Sequence, residues 1–314
     1  MATSLQTADA KLRITPLTGQ IGAEVHGVDF SRDVPADIAE EIRQAFAEHL
    51  VLVFRSENGC GEEEQNRLAE LFGELQPLQI FQFLGAMQAS ITFKPGSEIE
   101  ASDKADAPKG SAQIARRDLM NIGLAGEFDG WHVDNAFAHF LPKAAVLRAE
   151  VIAPVGGDTC FAGLTAAYDQ LSPTMQAWLE DSKAVYIVPE GFKQGINIHQ
   201  YGPDAEARFD AEYPPKEWPL VIRHPVTGRK ALFIVPGYVA HIVGLKRAES
   251  HAMIRLLCQH VRSASFIYRH HWQPGDLVVW DEVFALHRAP DDFMPHDRKV
   301  VRVTAGRQVP TAAN

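Results

Sequence analysis

Cysteine is scarce in this sequence, with only Cys60, Cys160 and Cys258 in 314 residues. They are far apart, odd in number and form no Cys-x-x-Cys pair. This pattern argues against a disulfide framework or a zinc knuckle as the organising feature. We expect reduced thiols in a cytoplasmic protein.

Positively charged residues are also fewer than negatively charged ones. The chain has 30 Lys and Arg residues and 40 Asp and Glu residues, which gives a formal net charge of −10. This balance argues against nucleic acid or an anionic membrane surface as the main partner. No apolar run approaches the roughly 20 residues that a membrane span requires. Residues 1–11 lack the charged-then-apolar pattern of a signal peptide. We therefore expect a soluble protein with a small-molecule partner.

Short apolar runs rich in branched residues dominate the chain, bounded by Gly, Pro or Asp, which is typical of strands. The predicted strands are 12–17, 51–55, 144–152, 184–188, 220–224, 231–235, 266–270, 277–280 and 300–303. Helical periodicity occurs mainly at 35–50, 62–75 and 246–262. The pattern predicts a mainly β protein with flanking helices and a β-sandwich or jelly-roll core, rather than a parallel βαβ fold.

Residues 94–118 have little periodicity and are rich in Pro, Gly, Ser and Asp. The segment is either a mobile lid or a disordered insertion, and its position just before the most informative motif favours the lid. We expect 1–314 to form a single domain that carries this loop.

The most informative motif is Gly-Trp-His-Val-Asp-Asn at 130–135. If this segment is a strand, His132 and Asp134 project from the same face. An imidazole and a carboxylate on one face could supply two ligands of the 2-His-1-carboxylate triad of non-haem Fe(II) oxygenases. An isolated His-x-Asp pair also occurs often without any metal.

A third ligand must come from elsewhere, and His287 is the best candidate among the 13 histidines. It follows a turn and an apolar strand, Pro-Gly-Asp-Leu-Val-Val-Trp at 274–280. On its own, His287 could equally be a hydrogen-bonded core or surface histidine.

Two arginines follow His287. Arg298 and Arg302 lie 11 and 15 residues after it, and on a strand they would face the same way. Two guanidinium groups near a metal would suit the capture of carboxylates. A solvated basic edge strand is the alternative.

A series of short motifs extends along nearly the whole chain. In order they are Ile-Thr-Pro-Leu at 14–17, Ile-Gly-Ala-Glu at 21–24, Gly-Val-Asp at 27–29, Leu-Val-Leu-Val-Phe at 50–54, Leu-Phe-Gly-Glu-Leu at 71–75, Trp-His-Val-Asp at 131–134, Gly-Gly-Asp-Thr at 156–159, Leu-Ser-Pro at 171–173, His-Pro-Val-Thr-Gly at 224–228, Ala-Leu-Phe at 231–233, Trp-Asp at 280–281 with His287, and Arg298 with Arg302. In these motifs and their order the sequence resembles the taurine/2-oxoglutarate dioxygenase (TauD/TfdA) family.

The resemblance implies a double-stranded β-helix (jelly-roll, cupin-like) core and Fe(II) bound by His132, Asp134 and His287. It implies that Thr159 and Arg298 hold the distal carboxylate of 2-oxoglutarate. The implied reaction consumes O2, releases succinate and CO2, and hydroxylates or otherwise oxidises the prime substrate. Family members are commonly homo-oligomers, so we expect one here.

The same resemblance implies that Arg302 contacts an acidic group on the prime substrate, and Asn135 is a further candidate contact. The taurine enzymes carry a histidine three residues after Phe-Gly-Glu-Leu, where this chain has Leu78. This departure argues against taurine as the substrate. Leu78 and Phe81, with Phe83 and Phe137, would suit a larger, partly apolar acid such as an aryl- or alkyl-substituted carboxylate or a sulfate ester. Plain core packing is the alternative for these apolar residues.

Two other functions remain open from the sequence. One is a non-catalytic jelly-roll protein that binds a small organic acid, and the other is a zinc hydrolase that uses the same three ligands. The complete ligand set, together with Thr159 and Arg298, favours the oxygenase.

Overall fold

The computed structural model of the chain describes residues 12–56, 59–76, 89–93, 99–100, 113–114, 130–189, 192–193 and 198–314, with the backbone alone for 89–93, 99–100 and 113–114. Strands predominate in this part of the chain. They are β1 (Arg13–Pro16), β2 (Ala23–His26), β3 (Val51–Arg55), β4 (Ala89–Phe93), β5 (Ile99–Glu100), β6 (Gln113–Ile114), β7 (Ala144–Val151), β8 (Thr159–Gly163), β9 (Lys183–Tyr186), β10 (Lys216–Pro219), β11 (Val221–Arg223), β12 (Lys230–Leu232), β13 (Val239–Ile242), β14 (Ile267–His270), β15 (Asp276–Asp281), β16 (Ala285–Arg288) and β17 (Arg298–Ala305).

The helices are fewer and lie between strands. They are α1 (Ala36–His49), α2 (Glu62–Glu70), α3 (Leu164–Asp169), α4 (Pro173–Glu180), α5 (Ala205–Glu212) and α6 (Arg247–Val261), with 3₁₀ turns at Ile198–Tyr201 and Ala264–Phe266. The longer helices are amphipathic: α1 buries Ile42 and Phe46 and ends at Leu50, which has a φ of 62°. Among the described helices, none has the length and apolar character needed to cross a bilayer.

The large sheet has nine strands in the order β1-β2-β3-β15-β7-β17-β4-β5-β6. A three-stranded sheet, β14-β8-β16, lies opposite it, and two small sheets, β10-β9-β13 and β11-β12, complete the β structure described. The two main sheets meet where Trp280 of β15 and Phe161 of β8 pack with their ring centroids 5.4 Å apart. Two opposed, largely antiparallel sheets around an apolar interior form the expected jelly-roll core, which confirms the predicted fold class.

Both faces of the large sheet are buried, and alternate residues of one strand contact different cores. Leu277 and Val279 of β15 belong to the cluster that contains Phe46 of α1. Val278 and Trp280 belong to the cluster between the two main sheets. Burial on both faces explains why the central strands have continuous apolar runs instead of polar alternation.

Each of the nine predicted strands overlaps a strand of the structure, and the three predicted helices are present. The second helix is shorter than predicted and ends at Glu70. The antiparallel pairing of β11 with β12 forms a hairpin. Neither β8 nor β16 is among the predicted strands, because their short, fully or mostly buried segments have no clear period. These two strands carry the candidate site.

Most of the predicted lid at 94–118 lies outside the described residues. The exceptions are β5 and β6, where Ile99 pairs with Ile114 at the edge of the large sheet. The function of this segment as a lid stays a prediction.

Candidate metal centre

Two segments that are remote in the sequence meet through a pair of histidines. The N–H of His132 donates to the carbonyl of His287 at 3.0 Å, and the N–H of His287 donates to the carbonyl of His132 at 2.8 Å. This reciprocal pair is an isolated antiparallel bridge. Residues paired in this way carry their side chains on one side, and the two imidazole centroids are 4.2 Å apart.

The condition under which His132 and Asp134 would share a strand face is not met. His132 makes only the isolated bridge, and Asp134 lies in a turn. Gly130 has a φ of 74° and Asn135 a φ of 55°, so the backbone bends on both sides of the pair. The Asp134 carboxylate still reaches the histidines, because its Oδ1 lies 3.7 Å from His132 Nε2 and 4.0 Å from His287 Nε2.

The three side chains together could hold one metal ion. Each offers a ligand atom, and these atoms all lie within 4.8 Å of one another. Two imidazole nitrogens and one carboxylate oxygen form the donor set of the facial triad of non-haem iron oxygenases. The residues present therefore fit a ferrous ion.

Both imidazoles are prepared to act as neutral ligands. Burial lowers the pKa of His132 and lowers the pKa of His287 well below its ordinary value. His132 Nδ1 lies 2.8 Å from the carbonyl oxygen of Gly130. A carbonyl accepts only, so the proton is assigned to Nδ1, and the lone pair of Nε2 faces Asp134.

The Asp134 carboxylate pairs with Arg302, whose Nη1 forms a short ion pair with Asp134 Oδ2. On the backbone side, the N–H of Asp134 donates to Glu282 Oε1 at 2.5 Å. Glu282 is completely buried. Burial raises its pKa well above the ordinary value, and the negative charge of Asp134 adds to the shift.

A second polar cluster contains Thr159 and Arg298, both almost fully buried. Arg298 donates through Nη2 to Thr159 Oγ1 at 3.3 Å and through Nε to the carbonyl of Gly157 at 2.7 Å. Burial lowers the pKa of Arg298 to about 10. Trp272 Nε1 also donates to Thr159 Oγ1, at 3.1 Å. Thr159 Oγ1 thus accepts two hydrogen bonds, and its own hydroxyl proton can be donated to a further acceptor.

Strand register relates this cluster to the histidines. His287 on β16 pairs with Phe161 on β8, and Thr159 is two residues before Phe161 on the same strand. Residues two apart on a strand share a face and are about 7 Å apart. Thr159 therefore projects from the same face as His287, one such step along β8.

Gly157 is needed beside Arg298 for steric reasons. It has a φ of +73°, and a Cβ at this position would lie 3.0 Å from Arg298 Cδ. A larger residue would be strained and would displace the guanidinium group.

Phe137 comes soon after the segment that holds His132 and Asp134. It packs with three other aromatic residues, and the four are called the aromatic wall: Phe137, Phe192, Tyr213 and Tyr238. The ring of Phe137 lies 5.7, 5.3 and 5.6 Å from the rings of Phe192, Tyr213 and Tyr238. Burial raises the pKa of Tyr238, with the charge of Asp134 as the next cause, so this phenol lies within the electrostatic field of the metal centre. All four rings belong to the buried apolar cluster that also contains Trp131 and Val133, the residues on either side of His132.

The candidate substrate residues are only partly covered by the structure. Asn135 is buried, and its Nδ2 has no hydrogen-bond partner among the described residues. Leu78, Phe81 and Phe83 lie outside the described residues.

Three residues at the site were missed in the sequence: Glu282, Trp272 and Tyr238. Glu282 left a signal, because it and Asp281 are two acidic residues in an otherwise apolar stretch between Trp280 and His287. Trp272 and Tyr238 are single aromatic residues in the sequence, and core packing explains such residues equally well.

The comparisons with known proteins agree with this geometry. The model of the family described as "Taurine catabolism dioxygenase TauD, TfdA family" matches residues 13–304. An alkylsulfatase of Acinetobacter baylyi is 29% identical over 100% of this chain and 91% of its own length. An alpha-ketoglutarate-dependent 2,4-dichlorophenoxyacetate dioxygenase of Cupriavidus pinatubonensis is 33% identical over 92% of this chain and 96% of its own.

A solved structure has the same fold. The crystal structure of a taurine dioxygenase from Burkholderia xenovorans matches with a TM-score of 0.71 and 27% identity, covering 96% of this chain and 93% of that chain.

Proposed function

The chain belongs to the TauD/TfdA family of 2-oxoglutarate-dependent dioxygenases, and from that premise we propose that it uses Fe(II) to oxidise a small, anionic and partly apolar substrate. Its ferrous ligands are His132, Asp134 and His287. The oxidation is a hydroxylation, or a cleavage that begins with one. It consumes 2-oxoglutarate and O2 and releases succinate and CO2.

The choice of iron rests on the donor set and its surroundings. Two neutral imidazoles and one carboxylate are typical of mononuclear ferrous oxygenases. The lowered pKa values of His132 and His287 keep both nitrogens available for a cation. Asp134 neutralises one of the two positive charges of the ion.

The proposed 2-oxoglutarate site extends from the metal centre to the polar cluster of Thr159 and Arg298. Arg298 and the outward proton of Thr159 bind the distal carboxylate, because a guanidinium group and a hydroxyl both donate to it. Thr159 lies two residues, or about 7 Å, along β8 from Phe161, the residue paired with His287. This distance suits a five-carbon diacid with one end at Thr159 and the other at the metal.

The proposed prime substrate combines an acidic group with an apolar body. Arg302 supplies positive charge beside Asp134, and the unpartnered amide of Asn135 supplies a donor. The aromatic wall around Phe137 suits an aryl or alkyl group, and we also place Leu78 and Phe81 at this pocket. Relatives named for an alkylsulfatase and a 2,4-dichlorophenoxyacetate dioxygenase support sulfate esters and aryloxyalkanoates as the first candidates.

The reaction inserts one oxygen atom of O2 into a C–H bond of the substrate and the other into succinate. Bound iron, with 2-oxoglutarate and O2, supplies the oxidising chemistry. The protein binds and orients: Arg298 and Thr159 fix the keto acid, Arg302 fixes the acidic end of the substrate, and the aromatic wall excludes water from the C–H bond that reacts.

The convergence of three ligand atoms within 4.8 Å carries the proposal. The experiment is a succinate-release screen with Fe(II) and ascorbate over sulfate esters, aryloxyalkanoates, sulfonates and amino acids. We expect succinate and an oxidised product in equal amounts from at least one acid of the first two classes. No substrate-dependent succinate from any class would refute the proposal.

The screen also separates the two alternatives. Product formed with Zn(II), without O2 or succinate, would indicate a zinc hydrolase. Binding of an acid without any turnover would indicate a non-catalytic jelly-roll protein.

We also propose that the whole chain acts as one catalytic domain, since β1 near its start and β17 near its end belong to the same sheet. Homo-oligomer formation and a cytoplasmic location stay predictions.

A further inference from the structure

Glu282 is a completely buried acid that lies between the two segments of the metal centre. Its Oε1 accepts the backbone N–H of Asp134 at 2.5 Å and lies 3.7 Å from His287 Nδ1. The neighbouring Asp281 accepts the N–H groups of Val283 and Phe284, both at 3.0 Å, and this turn fixes the direction in which Glu282 projects.

Burying a carboxyl group is unfavourable unless its oxygens are paired. Glu282 Oε2 has no hydrogen-bond partner among the described residues, while the charge of Arg302 and the Trp280 side chain act to lower the pKa of the group. The close contacts of Glu282 with the metal ligands are made by Oε1.

The two histidines have different support. His132 Nδ1 has the carbonyl of Gly130 at 2.8 Å. His287 Nδ1 is buried without a hydrogen-bond partner in the described part of the chain, and the group facing it is Glu282. When the Nε2 of a histidine binds a metal, its Nδ1 carries a proton that needs an acceptor, and carboxyl groups commonly serve.

We propose that Glu282 is a positioning residue that holds two of the three metal ligands at once, Asp134 through its backbone and His287 through Nδ1. The proposal rests on the metal centre proposed above. Glu282 touches neither substrate nor reacting atoms. It orients the His287 ring, and with it Nε2, and it fixes the position of Asp134. The His132 ring is oriented instead by the Gly130 carbonyl.

The test measures metal binding directly. Co(II) is titrated anaerobically into metal-free wild type, Glu282→Gln and Glu282→Leu, and both the dissociation constant and the visible Co(II) spectrum are recorded. Leucine removes both contacts, so we expect Co(II) affinity to fall by about 10- to 100-fold. Glutamine keeps an acceptor for the Asp134 N–H but places an amide in front of His287 Nδ1, so we expect a smaller loss of about 3- to 10-fold with a shifted spectrum.

Asp276→Asn is the matched control. Asp276 is also a completely buried acid, and it pairs with Arg55 at 2.9 Å, away from the metal ligands. We expect this variant to lower the unfolding midpoint of the metal-free protein while its Co(II) affinity stays within twofold of wild type.

Two results would overturn the role of Glu282. One is wild-type Co(II) affinity and spectrum in both Glu282 variants. The other is an Asp276→Asn variant that loses as much Co(II) affinity as a Glu282 variant of the same stability. The loss of affinity would then follow from lower stability in general. If Glu282→Leu does not fold, Glu282→Gln alone decides. Failure of the wild type itself to bind Co(II) would instead refute the metal centre.

Discussion

Arg298 and Thr159, 139 residues apart in the chain, are joined by a hydrogen bond of 3.3 Å from Nη2 to Oγ1. Arg298 also donates through Nε to the Gly157 carbonyl. A buried guanidinium group beside a hydroxyl is suited to an incoming carboxylate. The pair is the basis of the proposed 2-oxoglutarate site.

Arg298→Ala should weaken 2-oxoglutarate selectively. Loss of a charged hydrogen bond costs about 1.5–3 kcal/mol, which is about 10- to 150-fold in affinity. The measurement is the KM for 2-oxoglutarate from succinate release, with Co(II) affinity as a check on the metal centre. Lys299→Ala is the control on the same strand, since Lys299 pairs instead with Glu150 at 2.6 Å. An unchanged KM in Arg298→Ala would move the co-substrate site elsewhere.

Trp272→Phe should weaken 2-oxoglutarate through Thr159. The ring is kept, but the Nε1 donor to Thr159 Oγ1 is lost. We expect a KM increase of about 2- to 10-fold, the size of one neutral hydrogen bond.

A double-mutant cycle tests whether Trp272 acts in this way. In a Thr159→Val background the hydroxyl is already absent, so adding Trp272→Phe should raise the KM no further. Fully additive effects would show that Trp272 acts by some route other than Thr159.

Arg302→Ala should weaken acidic substrates more than neutral ones. Arg302 pairs with Asp134 Oδ2, so its guanidinium group lies at the metal centre. We expect a higher KM for a sulfate ester or aryloxyalkanoate and a much smaller change for its uncharged analogue. The KM for 2-oxoglutarate should stay close to wild type. Equal losses for charged and uncharged substrates would argue against a role in recognising the acid.

His132→Ala and Asp134→Ala should each abolish substrate-dependent succinate release while the protein stays folded. Each removes one of three ligands, and neither side chain belongs to the apolar clusters of the core. The measurements are succinate release and the far-UV circular dichroism of the metal-free protein. Near-normal succinate production by either folded variant would contradict the ligand assignment.

Much of the fold could be predicted from the sequence because the central strands have strong apolar runs with clear boundaries. The exceptions are instructive. The β8 segment Thr-Cys-Phe-Ala-Gly is buried throughout, so no alternation marks it as a strand. The segment with His132 and Asp134 is not a strand, because Gly130 and Asn135 adopt positive φ angles.

His132 and Asp134 could be proposed as ligands because they are two residues apart in the sequence, whereas His287 was joined to them by the family resemblance. Glu282 and Trp272 could not be placed in this way. Their partners lie 148 and 113 residues away. The His132–His287 bridge brings Glu282 to Asp134, and the pairing of β14 with β8 brings Trp272 to Thr159. Such contacts depend on strand register, which local sequence patterns do not determine.

The central claim is that His132, Asp134 and His287 hold a single ferrous ion that also binds 2-oxoglutarate. Anaerobic titration of Fe(II) into the metal-free protein with 2-oxoglutarate, followed by visible absorption, tests it most directly. We expect a charge-transfer band that saturates at one ion per chain in wild type and is lost in His287→Ala. Absence of the band in wild type, or an undiminished band in His287→Ala, would contradict it.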